Sequence, residues 1–463
     1  MTPSRRCFSA PGKALLAGGY LVLDAENSSF VTALSARIYA ITCPSPSLDS
    51  TLPTITVLSP QFQEGEWSYT VCQSPITGFV SLPAITPDRR NPFVQSAIAT
   101  VMNYLSATGT LQTTLPSLTM TILSDNAYHS QPSDAVPRFN KHPLPITAVP
   151  KTGLGSSAAL TTSLVAALLS FYGDMNPDAA QTKVILHKLA QLAHCNAQGK
   201  VGSGFDVACA VFGSIVYRRF QPSIISSLPP APTSFEAEAL YLLSLQKVIE
   251  ADWNVGTREC SLPRRMRLLM GDVTGGSETP AMVQMVLRWR KDGGESASAV
   301  WTALGKANEN LIAAMIGLGE QAAKDPEEYD AFVDEVLKVG ASDVAQLGHS
   351  NGGRTGELFV QVVDAIVEIR FNLRSMTAGS GAQIEPVQQT KLLDACSALP
   401  GVLGGVVPGA GGYDAVCLLV AEAAVDAIAK QTEGVFENVR WLELREEATG
   451  VREEDMLVIE EFL

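Results

Sequence analysis

The chain has 463 residues, a formal net charge of −14, and 46% hydrophobic against 17% charged residues. This length and balance predict a globular protein of two or three domains and exclude a largely disordered chain. An acidic chain also lacks the basic face that nucleic-acid binding requires, so no nucleic-acid partner is expected. The eight cysteines form no CxxC pair, which predicts reduced thiols and a cytoplasmic location.

No membrane partner is expected either. The N-terminal residues MTPSRRCFSAPGK contain no apolar core of signal-peptide length. The longest apolar run, residues 158–171, is too short and too rich in threonine to predict a membrane span. We therefore expect small-molecule partners and a monomer or a homodimer.

The first half of the chain predicts strands, one long loop and several helices. Enrichment in Val, Ile, Tyr and Thr favours strands at residues 8–17 and 20–24. Asn91 followed by Pro92 predicts the N-cap and the first residue of a helix. Residues 127–150 carry five prolines, which predicts an irregular loop.

The second half predicts an α+β unit. Its strongest predicted helix, residues 357–376, places six apolar residues on one face, namely Leu358, Val362, Ile366, Ile369, Leu373 and Met376. Residues 221–234 are rich in proline and serine. This change in composition predicts a boundary between an N-terminal domain, residues 1–225, and a C-terminal domain, residues 226–463.

The segment PKTGLGSSAAL, residues 150–160, combines glycines, hydroxyls and the start of a predicted helix. Gly153 and Gly155 lack a Cβ, so backbone N–H groups there can approach a ligand closely. A glycine-rich turn that leads into a helix N-terminus is an anion site, and phosphate is the expected ligand. The spacing is not that of a Walker loop. An alternative is a nucleophile elbow, since residues 155–159 fit Gly-x-Ser-x-Ala, with the base supplied by His187, His194 or His349.

Two further glycine-containing segments, PGKALLAGGYLVL from residue 11 and PGAGGYDAV from residue 408, complete a set of three. In spelling and order, this set resembles the three motifs of the GHMP kinases, the superfamily of galactokinase, homoserine kinase, mevalonate kinase and phosphomevalonate kinase. The resemblance implies an α+β fold of two domains, each α+β, with an active-site cleft between them. It also implies ATP and Mg²⁺ as cofactors.

The resemblance also assigns roles to individual residues. Lys13 and Asp206 would face each other as the catalytic pair, although a surface lysine and a helix cap are the structural alternatives. Ser157 would coordinate Mg²⁺ beside phosphate oxygens and waters. The nucleotide would contact Lys151, Gly153, Leu154, Gly155, Ser156, Ser157 and Ala158. The sequence Gly18-Gly19-Tyr20 departs from the family's Gly-Glu-Tyr or Gly-Glu-His, so no role is carried onto Gly19.

Longer segments, among them residues 271–280, 384–395 and 400–415, are similar to fungal-type phosphomevalonate kinases. This similarity implies transfer of a phosphoryl group from ATP to 5-phosphomevalonate in the isoprenoid pathway. The acceptor would contact Tyr20, Ser203, Gly204, Ser277, Arg374, Lys391, Gly411 and Gly412. Two alternatives stay open: another kinase of the superfamily, such as mevalonate kinase, or a catalytically silent ligand-binding sensor.

Overall fold

The structure, a computed structural model, describes residues 5–45, 52–112, 114–130, 137–273, 279–351, 353–432 and 439–459. The strands within these ranges are β1 (Arg6–Ala17), β2 (Ser28–Pro44), β3 (Thr54–Leu58), β4 (Glu66–Thr70), β5 (Cys72–Gln73), β6 (Val80–Ser81), β7 (Leu118–Ser124), β8 (Ile215–Arg218), β9 (Gly256–Glu259), β10 (Met266–Val273), β11 (Val402–Val406), β12 (Ala415–Ala421), β13 (Val439–Leu442) and β14 (Arg452–Glu454).

The α-helices within the same ranges are α1 (Pro92–Ala107), α2 (Ser156–Gly173), α3 (Ala180–Gln198), α4 (Phe205–Phe212), α5 (Ser223–Ser226), α6 (Phe235–Glu250), α7 (Thr279–Asp292), α8 (Gly294–Lys324), α9 (Pro326–Val336), α10 (Ala341–Asn351), α11 (Gly353–Ser380), α12 (Val387–Ser397) and α13 (Val425–Thr432). Short 3₁₀ turns lie at Leu21–Leu23, Asn126–Tyr128, Glu422–Ala424 and Met456–Val458.

The larger sheet has eight strands. Six follow the order β14-β1-β2-β7-β3-β4, while β8 pairs with β2 and β9 pairs with β8. The length of β2 makes this branching possible, because its first residues pair with β8 and its last residues pair with β7. All pairs are antiparallel except that between β3 and β7. The sheet packs against α2 and α4, as the apolar faces of its strands require.

Helix α2 is the central core helix of this half of the chain. It is long and apolar enough to cross a membrane by length and composition alone, but 83% of it is buried inside the protein. The argument from the sequence that this apolar run is too short for a membrane span therefore fails. Burial in the core accounts for the apolar character of the helix. Helix α1 begins as predicted, since the Asn91 side chain accepts hydrogen bonds from Phe93 N and Val94 N.

The second half forms a four-stranded antiparallel sheet in the order β11-β12-β10-β13. The two longest helices, α8 and α11, pack against each other, and α11 also packs against β11 of this sheet. All six apolar residues predicted to share a face of α11 are buried, from Leu358 to Met376. Both halves therefore mix helices with sheets, which confirms the α+β prediction.

One predicted strand is wrong. Residues 20–24 form a turn around Leu21–Leu23, because Gly18 has a φ of 112° and Tyr20 a φ of 61°. These left-handed values reverse the chain after β1. The apolar, β-favouring composition that predicted a strand instead reflects burial of Leu21 and Val22.

The larger sheet extends past residue 225. It includes β9, and β14 returns from the C-terminal part of the chain to pair with β1. Arg37, only 2% exposed, holds this return in place by donating to the carbonyl oxygens of Ser9 at 3.1 Å and of Gly450 at 2.6 Å. Glu447 and Glu454 lie within ion-pair distance of its guanidinium.

Candidate active site

A cavity of about 520 Å³ lies where the three glycine-rich segments meet. This volume falls within the range of small-molecule sites in proteins. Segments distant in sequence contribute to its wall, which includes Lys13, Tyr20, Lys151, Gly153, Leu154, Gly155, Ser156, Ser157, Ser203, Phe205, Asp206, Gly409, Ala410 and Gly411. The fold therefore brings most of the sequence-predicted site residues together around one space.

The glycine-rich loop delivers the N-terminus of α2 to this cavity. Gly153 and Gly155 have φ values of 74° and 79°, the left-handed conformation that favours glycine. The N–H groups of Ala158 and Ala159 donate to the carbonyl of Gly155 at 3.1 and 3.2 Å. The N–H groups of the preceding residues, Ser156 and Ser157, have no protein acceptor recorded in the described ranges and lie at the positive end of the helix dipole. This is the arrangement that binds phosphate at helix N-termini.

We expect Gly155→Ala to weaken binding of a non-hydrolysable ATP analogue roughly tenfold. The new Cβ would lie 3.2 Å from Lys13 Cγ in a backbone conformation that L-residues rarely adopt, and about 1.4 kcal/mol of strain corresponds to that factor. Isothermal titration calorimetry measures the effect. Gly109→Ala is the matched control, because Gly109 has a φ of 68° and open space around its missing Cβ. Unchanged affinity in Gly155→Ala would contradict the assignment of this loop.

Lys13 and Asp206 converge beside Gly155. A Cβ on Gly155 would lie 3.4 Å from Lys13 Cε and 3.8 Å from Asp206 Cβ, so both side chains border the same point. Lys13 Nζ donates to Gly153 O at 2.7 Å, and the Lys13 backbone N–H donates to Leu154 O at 2.9 Å. The structure records no direct ion pair between Lys13 and Asp206, both of which lie in the described ranges. β1 thus anchors the loop and directs the ammonium into the cavity.

Burial lowers the pKa of the Lys13 ammonium, and the nearby Asp206 carboxylate acts in the opposite direction by raising it. Burial has the larger effect because an ammonium loses hydration inside the protein. Phe205 adds a further contact, since Lys13 Nζ lies 5.6 Å from the centre of its ring. Cation–π contact of this kind favours the charged form.

The third motif also lines the cavity. Tyr20 Oη donates to Ala410 O at 2.7 Å, which joins the first motif to the third. A Cβ on Gly19 would lie 3.2 Å from Gly409 O, so the departure at this position fits a close backbone approach. Gly412 N donates to Ile384 O at 2.9 Å and fixes the motif from behind.

Several predicted residues lie away from the wall. The guanidinium of Arg374 bonds to Glu385 at 3.0 Å, and this fully buried carboxylate also accepts from Arg370. Lys391 is exposed on α12, and neither cation lines the cavity. Ala158, Gly204 and Gly412 are buried behind the wall. Ser277 lies outside the described residues.

Of the three histidines proposed for the nucleophile-elbow alternative, His194 lies within hydrogen-bond distance of Ser157. His194 Nε2 lies 3.0 Å from Ser157 Oγ, and His194 is buried on α3. However, no carboxylate bonds to His194 in the described ranges, and Ser157 follows a segment of turns and not a strand. An elbow needs both features. The sequence offers no signal that marks His194 over the other histidines, since contact between α2 and α3 creates this pair.

A second cavity of about 280 Å³ adjoins the first. The two share Phe93, Lys151, Ser156 and Ser157. Apolar side chains, including Phe62, Trp67 and Ile146, line the second cavity, and Ser124 and His129 belong to its wall. Phe93 and Phe205 line the first cavity and were not predicted from the sequence, because the tertiary packing of α1 and α4 brings them there.

The matches to known proteins agree with this geometry. Residues 139–214 match the family described as GHMP kinases N terminal domain. The structure also aligns with that of Streptococcus pneumoniae phosphomevalonate kinase, solved in complex with phosphomevalonate and AMPPNP, at a TM-score of 0.62 and 17% identity, covering 95% of this chain and 99% of that one. At this level of identity the likeness establishes the fold, which is that of a GHMP kinase.

Sequence similarity is closer to two eukaryotic proteins. Phosphomevalonate kinase of Candida albicans is 41% identical over 465 residues, covering 97% of this chain and 98% of that protein. A protein of Arabidopsis thaliana named "Phosphomevalonate kinase, peroxisomal" is 33% identical, covering 96% of this chain and 95% of that protein. The chain therefore belongs to the phosphomevalonate kinase family.

Proposed function

We propose that this protein transfers the terminal phosphoryl group of ATP to 5-phosphomevalonate, giving ADP and 5-diphosphomevalonate. The observation that carries the proposal is the convergence of Lys13, Asp206 and the N-terminus of α2 in one cavity. Phosphoryl transfer needs little covalent chemistry from the protein and depends on positioning and charge stabilisation. These elements supply both.

In this proposal the triphosphate lies along the loop and the base enters the second cavity. Lys151, Ser156 and Ser157 border both cavities, so a nucleotide with its phosphates at the N-terminus of α2 has a direct path between them. The apolar wall of the smaller space suits a purine ring, which binds by stacking and burial. The acceptor then occupies the side formed by Tyr20, Ser203 and Gly411.

The acceptor's own chemistry determines what Lys13 and Asp206 do. A phosphate monoester has its second pKa near 6, so most of the acceptor is the dianion at neutral pH, with the attacking oxygen already deprotonated. A general base then contributes little, whereas two phosphate groups brought together repel each other strongly. Lys13 would reduce that repulsion, and Asp206 would keep Lys13 protonated and oriented.

The donor set at Ser157 fits Mg²⁺, which prefers oxygen ligands and takes only one or two of them from the protein. His194 Nε2 can accept a hydrogen bond from the Ser157 hydroxyl, and in that case the lone pairs of Ser157 Oγ stay available to the cavity. When bound, the ion would neutralise charge on the β- and γ-phosphates. Ser157 would hold it, and within the described ranges no cluster of three or more His, Cys, Asp or Glu offers another site.

The test is ADP release measured side by side with 5-phosphomevalonate and with mevalonate, in the presence of ATP and Mg²⁺. We expect turnover with 5-phosphomevalonate only. Turnover with mevalonate alone would assign the protein to the mevalonate kinase reaction. Nucleotide binding without turnover on either acceptor would favour a ligand-binding sensor.

The proposal includes a cytoplasmic location and a monomer or homodimer. All eight cysteines lie in the described ranges and are free, which fits a reducing compartment. The Arabidopsis relative is named peroxisomal, so fluorescence microscopy of the tagged protein is the appropriate test of location.

A further inference from the structure

Strand β8 and the residue after it hold three consecutive carbonyl groups in the segment that leads to Asp206. Tyr217 Oη donates to Ser203 O at 2.8 Å. Arg219 donates through one terminal nitrogen to Gly202 O at 2.5 Å and to Val201 O at 3.2 Å. The segment thereby has fixed backbone positions immediately before Gly204, which starts α4 with a φ of 83°.

Arg219 also bonds to a second segment of the wall on the acceptor side of the cavity, the side formed by Tyr20, Ser203 and Gly411. Its second terminal nitrogen donates to Leu23 O at 2.6 Å, in the turn that follows Tyr20. Val22 and Leu23 line the cavity, as do Ser203 and Asp206. One guanidinium therefore joins two walls that the chain connects only through nearly 180 intervening residues.

These two side chains are buried, with Tyr217 fully enclosed and Arg219 8% exposed. Neither belongs to the cavity wall, so neither can touch a ligand there. A buried guanidinium loses hydration, and carbonyl dipoles compensate for that loss only in a fixed geometry. The forked arrangement of Arg219 requires both walls to stay in register.

We propose that Arg219 and Tyr217 are positioning residues that set the acceptor half of the active site, through the carbonyls of residues 201–203 and of Leu23. This inference rests on the proposed kinase function and assigns no contact with ATP to either residue. The nucleotide loop is anchored separately, because Lys13 donates to the carbonyl oxygens of Gly153 and Leu154. Loss of the hydrogen bonds from Arg219 and Tyr217 should therefore weaken acceptor binding and leave ATP binding unchanged.

The experiment compares steady-state kinetics of Arg219→Lys and Tyr217→Phe with the wild type, using 5-phosphomevalonate as the acceptor. We expect the acceptor KM to rise about tenfold in Arg219→Lys, which keeps the charge but loses the fork, and about fivefold in Tyr217→Phe. Calorimetry should give a Kd for a non-hydrolysable ATP analogue within about twofold of the wild-type value. A raised acceptor KM with an unchanged Kd for the nucleotide is a combination that general loss of stability does not produce. Tyr217→Phe removes a single hydroxyl and decides the question if Arg219→Lys does not fold.

Two matched controls test for a merely structural effect. Arg37→Lys alters another buried arginine that donates to backbone carbonyls, and Tyr329→Phe removes a buried hydroxyl that donates to Arg264 O at 2.8 Å. Both should lower Tm while the acceptor KM stays unchanged. If the Arg219 and Tyr217 variants behave as these controls do, the inference is overturned while the wild-type turnover still supports the kinase function. Absence of wild-type turnover would overturn the proposed function itself.

Discussion

Replacement of Lys13 by methionine should lower kcat about a thousandfold while the protein stays folded. The ammonium is the cation that Asp206, Phe205 and the Gly153 carbonyl surround at the cavity wall. Removal of one preorganised charge stabiliser from a site that excludes water typically has an effect of that size. Stability should change little, because the backbone bond from Lys13 N to Leu154 O remains and a partly buried charge is removed. The measurement is coupled ADP release together with thermal unfolding.

Lys188→Met is the matched control for Lys13→Met. Lys188 Nζ also donates to a backbone carbonyl, that of Ala251 at 2.6 Å, and burial likewise lowers its pKa. It lies outside both cavities, so its replacement should leave kcat near the wild-type value. A folded Lys13→Met enzyme with wild-type kcat would remove Lys13 from the mechanism.

Asp206→Asn should lower kcat about a hundredfold, because it removes the charge that keeps Lys13 protonated and oriented. It should also move the alkaline limb of the pH profile. Burial places the pKa of Lys13 below its ordinary value of 10.5, so kcat/KM should fall as the pH rises through that lowered pKa. The Asp206 carboxylate raises the pKa of Lys13. Its removal therefore makes the ammonium lose its proton at lower pH, and the alkaline limb should shift to lower pH. Steady-state rates between pH 6 and pH 10 measure the shift.

Asp343→Asn is the control for Asp206→Asn, because Asp343 also lies in the first turn of a helix but is exposed on α10. Asp206 accepts one recorded hydrogen bond in the described ranges, from Val207 N at 3.0 Å, so both variants should stay folded. If the alkaline limb of the Asp206→Asn enzyme does not shift, Asp206 does not control the protonation of Lys13. Loss of the acid limb instead would indicate that Asp206 acts as a general base.

Local sequence predicted those parts of the site that depend on neighbouring residues. The loop at residues 150–160 and the helix after it follow from glycine conformation and helix-start chemistry, and the structure has both. The turn after Tyr20 could not be predicted in this way, because its left-handed backbone depends on packing of Gly18 against Ser29. Enrichment in β-favouring residues alone does not distinguish such a turn from a strand.

Pairings between distant residues were the least predictable feature. Arg374 resembles a phosphate ligand in the sequence, yet its guanidinium bonds to the buried carboxylate of Glu385. Phe205 adjoins a predicted catalytic residue, but its contact with Lys13 depends on how α4 packs against β1. The roles of Lys13 and Asp206 came from resemblance to a family, and the structure adds that both side chains lie next to Gly155.

The pairing of β14 with β1 has a consequence for synthesis of the protein on the ribosome. Strand β1 emerges early, whereas its partner at Arg452–Glu454 is translated more than 400 residues later. Until Glu447 and Glu454 arrive, Arg37 has neither of these carboxylates beside it and β1 presents an open edge. The N-terminal half of the nascent chain therefore completes its sheet only after the C-terminal half has been translated, so folding of the two halves cannot proceed strictly from the N-terminus onward.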